Sequence, residues 1–485
     1  MTLTVSEDVN IDLTISQDAQ RVWWKEASVY QVYPASFCDS NGDGIGDIPG
    51  IISKLDYLKA LGADVLWLCP VYKSPQVDMG YDIADYRTIH PPYGTLKDVE
   101  NLITGLHQRG MKLVMDLVVN HTSDQHVWFE ESRSSLDNSK RNWYIWRKPT
   151  FDKRGNRHPP NNWASIFGGS AWAYDGTTEE YYLRLFCEEQ PDLNWENPVV
   201  VQEVHDMMRF WLDKGVDGFR MDVINLISKT PGLPDAPITV PNQEFQPAHH
   251  YYANGPRLHE FLRGFRKVLD HYDAFAVGEM PWAKDEGDII NSVAAERKEL
   301  NMIFQFDIAR EKMAGDDASL QSFLDQVHLK ARDHARSPVQ WNSKENGGFS
   351  TGVPWMQVNN DYAQCNAEQQ LADPTSVFFH WRRVLELRRH YWGAFIYGQF
   401  EMVDRDHPAV FCYNRIARTA SATIVANFTE EEQEWSPQQA TLDSLRNGTI
   451  ALANYETRGE LRGHSLTLRP FESFVVLEQE CGHHH

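Results

Sequence analysis

Two repeating patterns of apolar and polar positions alternate along the first three hundred residues. Short apolar runs predict buried strands at 28–34, 64–70, 112–121, 218–223, 274–280 and 301–307. Segments with helical spacing predict helices between them, at 51–61, 96–110, 199–215 and 255–272. Strands that alternate with helices along the chain indicate parallel βα units. We therefore predict an α/β fold, a (β/α)8 TIM barrel with six recognisable strands, whose site lies where the strands end.

The alternation breaks twice. Residues 122–195, rich in Trp, Asn, Gly and Pro, predict a subdomain inserted after strand 3, and short alternating strands from 397 predict a C-terminal antiparallel β-sandwich domain. A strong helical pattern precedes that domain at 376–391. The predicted organisation is a tail (1–20), barrel (21–121), inserted subdomain (122–195), remaining barrel (196–396), C-terminal domain (397–480) and purification-tag remnant (481–485).

Composition narrows the possible partners. The chain carries 46 Lys and Arg against 68 Asp and Glu, a formal charge of −22, which argues against nucleic acid and anionic membranes as partners. The 6 cysteines lack paired or metal-like spacing and indicate reduced thiols. The N-terminus does not resemble a signal peptide. The sequence also contains no run of about 18 apolar residues, the length needed to span a membrane. We expect a cytoplasmic protein, monomeric or weakly homo-oligomeric, that acts on a small molecule.

Two carboxylates at the ends of consecutive predicted strands suggest acid and base chemistry. Arg220 and Asp222 lie within the apolar strand GFRMDV and face the same side, so Arg220 can keep Asp222 ionised, as a nucleophile requires. Glu279 ends the next strand among apolar neighbours, which would raise its pKa and suit a general acid. This is the layout of a glycoside hydrolase. A structural ion pair and a structural buried Glu are the alternatives.

The loop DSNGDGIGD, residues 39–47, alternates oxygen-bearing side chains with small residues. That pattern is typical of a loop that binds Ca²⁺, and Mg²⁺ is possible. It is not an EF-hand, since Gly50 stands where the twelfth-position Glu would be. A metal-free turn rich in Gly and Asp is the alternative.

Several segments, in order, resemble α-glucosidases of the α-amylase superfamily (glycoside hydrolase family 13), in the branch of oligo-1,6-glucosidases, isomaltases and maltases. They are SVYQVYPASFCDSNGDGIGD, SPQVDMGYDIADY, DLVVNH, FGGSAW, QPDLNWENP, GFRMDVINLISK, VGEMPW and ARDHARSPVQW. The resemblance covers residues 22–308 and 328 onward.

The resemblance implies a role for each matching position. Asp222 would be the nucleophile and Glu279 the acid/base. The implied sugar-binding residues are His121 and Arg220 at the cleaved bond, Asp78, Tyr81 and Arg336 at the far end of the glucose, and Phe167, Phe186 and Gln190 along the pocket wall. The implied Ca²⁺ ligands are Asp39, Asn41, Asp43, the carbonyl of Ile45, and Asp47. More ordinary roles are also open, because His121 could cap a strand end and Arg336 could form a surface ion pair.

The implied activity is that of a retaining, exo-acting α-glucosidase on short gluco-oligosaccharides. Val223 follows the nucleophile, and in this branch Val at that place tends to accompany α-1,6 preference, as for isomaltose. A transglucosidase or a sucrose isomerase would use the same chemistry with another acceptor.

One part of the family pattern is missing. The third acid, in an Asn-His-Asp segment that ends strand 7, has no counterpart, and only 52 positions separate Glu279 from Ala331. The sequence therefore predicts a deletion near 308/309 that removes strands 7 and 8. Three explanations are open: a wrongly spliced or assembled gene, a segment removed from the chain, or a natural variant that closes differently. The last would give strongly reduced hydrolysis, or a sugar-binding pseudoenzyme.

Overall fold

The computed structural model describes residues 21–283, 286–304, 336–418, 420–456 and 461–479. The predicted tail at 1–20, the predicted seam near 308/309 and the predicted tag remnant at 481–485 lie outside the described residues. Residue contacts divide the chain into two units. In their described parts, the first unit takes in residues 29–59 and 63–366, and the second takes in 21–28, 60–62 and 367–479.

A parallel sheet organises the first unit. Its strands, neighbours in chain order, are β1 (Val29–Val32), β2 (Val65–Leu68), β3 (Lys112–Val118), β4 (Gly218–Asp222), β5 (Phe275–Gly278) and β6 (Met302–Ile303). All five strand pairs are parallel. Strands β3 and β4 are almost entirely buried, as expected of a parallel sheet covered on its faces. Within the described chain the sheet ends at β1 and β6, so it forms a curled half-barrel, and the predicted fold class is confirmed.

Helices connect these strands as the apolar spacing predicts. They are α1 (Ile48–Ile52), α2 (Leu55–Leu61), α3 (Leu96–Gln108), α4 (Pro198–Asp213) and α5 (Leu258–His271). The single helix predicted at 51–61 was wrong, because two helices share this stretch. The first begins earlier, since the Asp47 side chain accepts the backbone N–H of Gly50 and caps it. Thr95 and Asp98 form a capping box that fixes the start of α3.

The inserted region is rich in buried aromatic side chains. It contains the helix Val127–Ser134, a three-stranded antiparallel sheet (Trp146–Arg147, Glu180–Leu183, Trp172–Asp175) and a short hairpin (Thr150–Phe151, Arg157–His158). One of its apolar clusters includes Trp163 and Phe186 and extends to Val223, directly after β4. Backbone bridging of His121 with Asp192 ties the end of this region to the segment after β3. The insertion is therefore anchored beside the carboxyl ends of β3 and β4.

The second unit is mainly antiparallel sheet. Five strands pair in the order Gln399–Val403, Val410–Ile416, Ala420–Asn427, Ser473–Gln479 and Thr449–Ala453, and three more in the order Gln433–Trp435, Ser465–Leu468 and Leu461–Arg462. Its two longer helices are α6 (Val377–His390) and α7 (Gln439–Asn447). Helix α7 was not predicted, although its buried Leu442 and Leu445 have helical spacing. Contacts group α6 with these sheets. None of the helices described is long and apolar enough to cross a membrane.

Candidate active site

One guanidinium group, that of Arg220 on β4, binds three carboxylates. Its Nη1 donates to Asp116 Oδ1 at 2.7 Å and to Asp222 Oδ1 at 2.6 Å, and its Nη2 donates to Glu279. Asp116 is the register partner of Arg220 on β3, and Glu279 follows β5. The Arg220 side chain is only 8% exposed. The predicted pairing of Arg220 with Asp222 is therefore present, within a larger buried ion cluster.

The environment of this cluster shifts two of its carboxyl groups toward the protonated form. Burial raises the pKa of Glu279 to about 7, the negative charge of Asp222 adds to the rise, and Arg220 opposes it. Burial likewise raises the pKa of Asp116 to about 6. A pKa near the working pH suits a group that must both give and accept a proton. The rise expected for Glu279 from its apolar neighbours is thus found in the structure.

Asp116 is the member of the cluster to which the sequence analysis assigned no role. Its Oδ2 accepts the indole N–H of Trp67 at 2.8 Å, while its backbone carbonyl accepts the Tyr72 hydroxyl at 2.7 Å. The guanidinium carbon of Arg220 lies 5.3 Å from the centre of the Trp67 ring, a cation–π contact. The strand register of β3 and β4 shows that Asp116 faces Arg220.

The backbone after β4 brings Asp222 and Glu279 together. Val223 has a left-handed φ of 35°, which is strained for a β-branched residue. Its N–H lies 3.3 Å from Glu279 Oε2, and the next N–H, that of Ile224, donates to the Glu279 carbonyl at 3.0 Å. The Val223 side chain is buried in the aromatic cluster of the inserted region. Packing on one side and hydrogen bonds on the other thus hold the strained turn between the two carboxylates.

A second polar cluster contains four predicted sugar-binding residues. Gln190 Nε2 donates to Asp78 Oδ2 at 3.1 Å and lies 3.2 Å from His121 Nε2. His121 Nε2 also lies 3.1 Å from the carbonyl oxygen of Tyr81. The Tyr81 ring is in turn 5.8 Å from the guanidinium carbon of Arg220. The structure therefore brings Asp78, Tyr81, His121 and Gln190 together beside the Arg220 cluster.

The remaining predicted sugar-binding residues lie around these clusters. The ring of Phe186 is 5.1 Å from that of His121 and 5.4 Å from that of the partly exposed Phe167. The guanidinium of Arg336 lies 4.9 Å from the ring centre of Tyr33. Burial raises the pKa of the Cys69 thiol to about 12, and the charge of Arg336 is among those that oppose this rise. Arg336 is thus within electrostatic range of Cys69, at the end of β2.

In the predicted calcium loop, the side chains make hydrogen bonds to the loop itself. Asp39 accepts the backbone N–H groups of Asn41, Gly42 and Gly44, and Asp43 accepts that of Ile45. In the described part of the chain, no three Asp, Glu, His or Cys side chains converge to hold a metal ion. Oxygen donors suit Ca²⁺, but in this arrangement the carboxylates cap backbone groups. The metal site stays a prediction.

Comparison with known proteins places the chain in a family. The model of the α-amylase catalytic domain matches residues 31–317 and 307–398. An α-glucosidase of Schizosaccharomyces pombe is 43% identical, over 94% of this chain and 98% of its own. An oligo-1,6-glucosidase of Halalkalibacterium halodurans is 39% identical, over 94% and 99%. The structure of Bacillus licheniformis trehalose-6-phosphate hydrolase covers 94% of this chain and 100% of its own, with a TM-score of 0.83 at 33% identity.

A mutant isomaltulose synthase of Erwinia rhapontici, solved with sucrose, covers 95% of this chain and 100% of its own, with a TM-score of 0.83 at 33% identity. The fold and the matched relatives are those of glycoside hydrolases. The chain belongs to the α-amylase family, also called glycoside hydrolase family 13.

The same comparisons support the predicted deletion. The alignment with the S. pombe enzyme spans 570 positions, whereas 94% of 485 residues is about 456, so about 114 positions have no residue in this chain. The family model is matched in two segments that meet at 307–317. Their meeting point coincides with the predicted seam near 308/309.

Proposed function

We propose that the chain is a retaining, exo-acting α-glucosidase that hydrolyses the terminal α-glucosidic bonds of short gluco-oligosaccharides. The observation that carries this proposal is the joint binding of Asp222 and Glu279 by the guanidinium of Arg220. Retaining glycosidases hold their two carboxyl groups about 5–5.5 Å apart, whereas inverting enzymes leave about 6.5–9.5 Å for a water molecule. Asp222 and Glu279 share one guanidinium and are also close enough that a hydrogen bond between them adds to the raised pKa of Glu279, which supports retention.

The proposed reaction has two steps. Asp222 attacks the anomeric carbon while protonated Glu279 gives its proton to the departing glycosidic oxygen, so that a glucosyl ester forms on Asp222. Glu279 then takes a proton from water, whose oxygen displaces Asp222 from the anomeric carbon. A pKa of about 7 lets Glu279 alternate between these states near neutral pH. Asp116, in contact with both Arg220 and Trp67, would hold the guanidinium in place.

The second polar cluster supports an exo-acting pocket. Asp78, Tyr81, His121 and Gln190 would bind the hydroxyl groups of a single glucose, with Phe167 and Phe186 as the wall. Arg336 would meet Asp78 at the 4-hydroxyl and close the pocket beyond that sugar. A preference for α-1,6 bonds is proposed from Val223 and is supported by the oligo-1,6-glucosidase names of relatives. We also propose a monomeric or weakly homo-oligomeric cytoplasmic enzyme, with Ca²⁺ or Mg²⁺ as a structural ion in loop 39–47.

Two further candidates have observations in their favour. The similarity to isomaltulose and trehalulose synthases favours a sucrose isomerase or transglucosidase. The gap of about 114 alignment positions favours a catalytically impaired protein that binds sugar, because the third acid of the family has no counterpart.

Product analysis distinguishes these functions. The full chain would be incubated with p-nitrophenyl α-glucoside, isomaltose, maltose and sucrose, after its intact mass has been measured, with Asp222→Asn as the control. Glucose release that is faster from isomaltose than from maltose supports the proposal. Isomerised disaccharide from sucrose supports a sucrose isomerase or transglucosidase. Binding without turnover supports the impaired protein, and hydrolysis at ordinary glycosidase rates would show that the missing segment is dispensable.

A further inference from the structure

A buried lysine lies behind the sugar-binding cluster. Lys229 follows β4, and its Nζ donates to Asn120 Oδ1 at 2.8 Å and pairs with Asp192 Oδ2 at 2.7 Å. The Lys229 side chain is 5% exposed and that of Asp192 is fully buried. The amide nitrogen of Asn120 lies 3.1 Å from Asp192 Oδ2 and 3.3 Å from Nδ1 of His121. These contacts connect the inserted region, β3 and the segment after β4.

The charges around Asn120 determine which way its amide points. An ammonium group can only donate hydrogen bonds, so the Asn120 atom that faces Lys229 is the oxygen. A carboxylate only accepts, so the atom that faces Asp192 is the nitrogen. Both neighbours select the same orientation, and the Asn120 N–H group therefore points at Nδ1 of His121.

That orientation selects one protonation form of the imidazole. Because Nδ1 of His121 faces a donor, it must accept, and in the neutral ring the proton then lies on Nε2. The Nε2–H group donates to the Tyr81 carbonyl at 3.1 Å, so this form satisfies two contacts. The opposite tautomer would lose both and keep only a bond from Gln190 Nε2. An imidazolium would place two N–H donors against each other at Nδ1.

Gln190 is oriented by the same logic. Its Oε1 accepts the backbone N–H of Cys187 at 2.9 Å, so its Nε2 faces Asp78 and His121. One Gln190 N–H donates to Asp78, and the other lies beside the Nε2–H of His121. Gln190 therefore offers no acceptor to His121, and the carbonyl of Tyr81 remains the acceptor for the Nε2–H group.

We propose that Lys229 and Asn120 are positioning residues that hold His121 in its Nε2–H tautomer, so that His121 fixes the backbone of Tyr81, a predicted sugar-binding residue, beside Arg220. That Tyr81 binds sugar rests on the proposed function. The tautomer itself rests only on the buried contacts.

Nitrogen NMR of the full chain, labelled with ¹⁵N-histidine, tests the proposal. Spectra would be recorded about one unit above the ordinary histidine pKa of about 6.5, and His121→Gln would assign the signal. In the unmodified protein we expect a neutral ring with the proton on Nε2. In Asn120→Asp we expect the proton on Nδ1, because a carboxylate offers only acceptors. Asn360→Asp, the same change at an exposed position, should leave the His121 signal unaltered.

Kinetics provide a second measurement. With p-nitrophenyl α-glucoside, Asn120→Asp and Lys229→Met should raise KM about tenfold, or about 1.4 kcal/mol, with little change in kcat. A proton on Nδ1 in the unmodified protein, or an unchanged tautomer in folded Asn120→Asp, would overturn the proposal. If the variants do not fold, the spectrum of the unmodified chain decides alone. A chain with the Nε2–H tautomer but no turnover would instead reject the proposed function.

Discussion

Replacement of Glu279 by Gln tests whether this carboxyl group is held partly neutral by its surroundings. Burial and the charge of Asp222 raise its pKa from 4.5 to about 7. The folded protein therefore keeps this proton at pH values where the unfolded chain has lost it. The stability that this provides is fully present below about pH 4.5 and is lost as the pH rises through about 7. Gln resembles the protonated carboxyl in shape but does not titrate.

The size of the effect follows from the shift. A rise from 4.5 to about 7 in the pKa of Glu279 corresponds to about 3 kcal/mol of unfolding free energy over the whole pH range, at 1.36 kcal/mol per pH unit. Between about pH 5.5 and about pH 8, linkage gives a loss of about 2 kcal/mol. The Glu279 side chain is 21% exposed, so solvent screens it only in part.

Urea unfolding at these two pH values, followed by tryptophan fluorescence, measures the difference. Relative to the unmodified protein, Glu279→Gln should gain about 2 kcal/mol in unfolding free energy between the lower and the higher pH. Glu130→Gln makes the same chemical change at an exposed helical position and should show no such gain. If Glu279→Gln loses as much stability as the unmodified protein, the assignment of Glu279 as a carboxyl with a raised pKa is wrong.

Three shorter predictions concern the nucleophile, the loop and the ion. Asp222→Asn should slow release of p-nitrophenol from p-nitrophenyl α-glucoside by about 10³-fold or more, and near-normal release would exclude Asp222 as nucleophile. Gly44→Ala should lower the free energy of urea unfolding by more than the about 1–3 kcal/mol that its φ of +91° alone would cost, because a Cβ would also lie 1.9 Å from the Val353 carbonyl oxygen. Gly155→Ala, where φ is +78° and no atom lies within 4 Å of the added Cβ, measures the cost of the backbone conformation alone. Ca²⁺ at 100 times its Kd should add about 2.7 kcal/mol to the unfolding free energy of the unmodified protein and less to that of Asp43→Asn. No gain in the unmodified protein, or an equal gain in Asp43→Asn, would contradict the metal loop.

The sequence alone established the βα order and the chemistry of the two strand ends, because both depend on local patterns. Strand period places Arg220 and Asp222 on one face, and apolar neighbours indicate the raised pKa of Glu279. The family motifs added the sugar-binding set and exposed the gap near 308/309. The start of the first helix at Ile48 was missed, since it depends on the cap that Asp47 provides.

The tertiary structure decided which distant groups share a hydrogen bond. Asp116 reaches Arg220 across 104 positions through the register of β3 and β4, and Lys229 reaches Asn120 across 109. Neither distance is encoded in a local period, because strand register and the path of the inserted region follow from packing of the whole unit. Asp222 and Glu279, the proposed nucleophile and acid, could therefore be selected from the sequence. The positions of Asp116 in the Arg220 cluster and of Lys229 behind His121 became visible only in the folded chain.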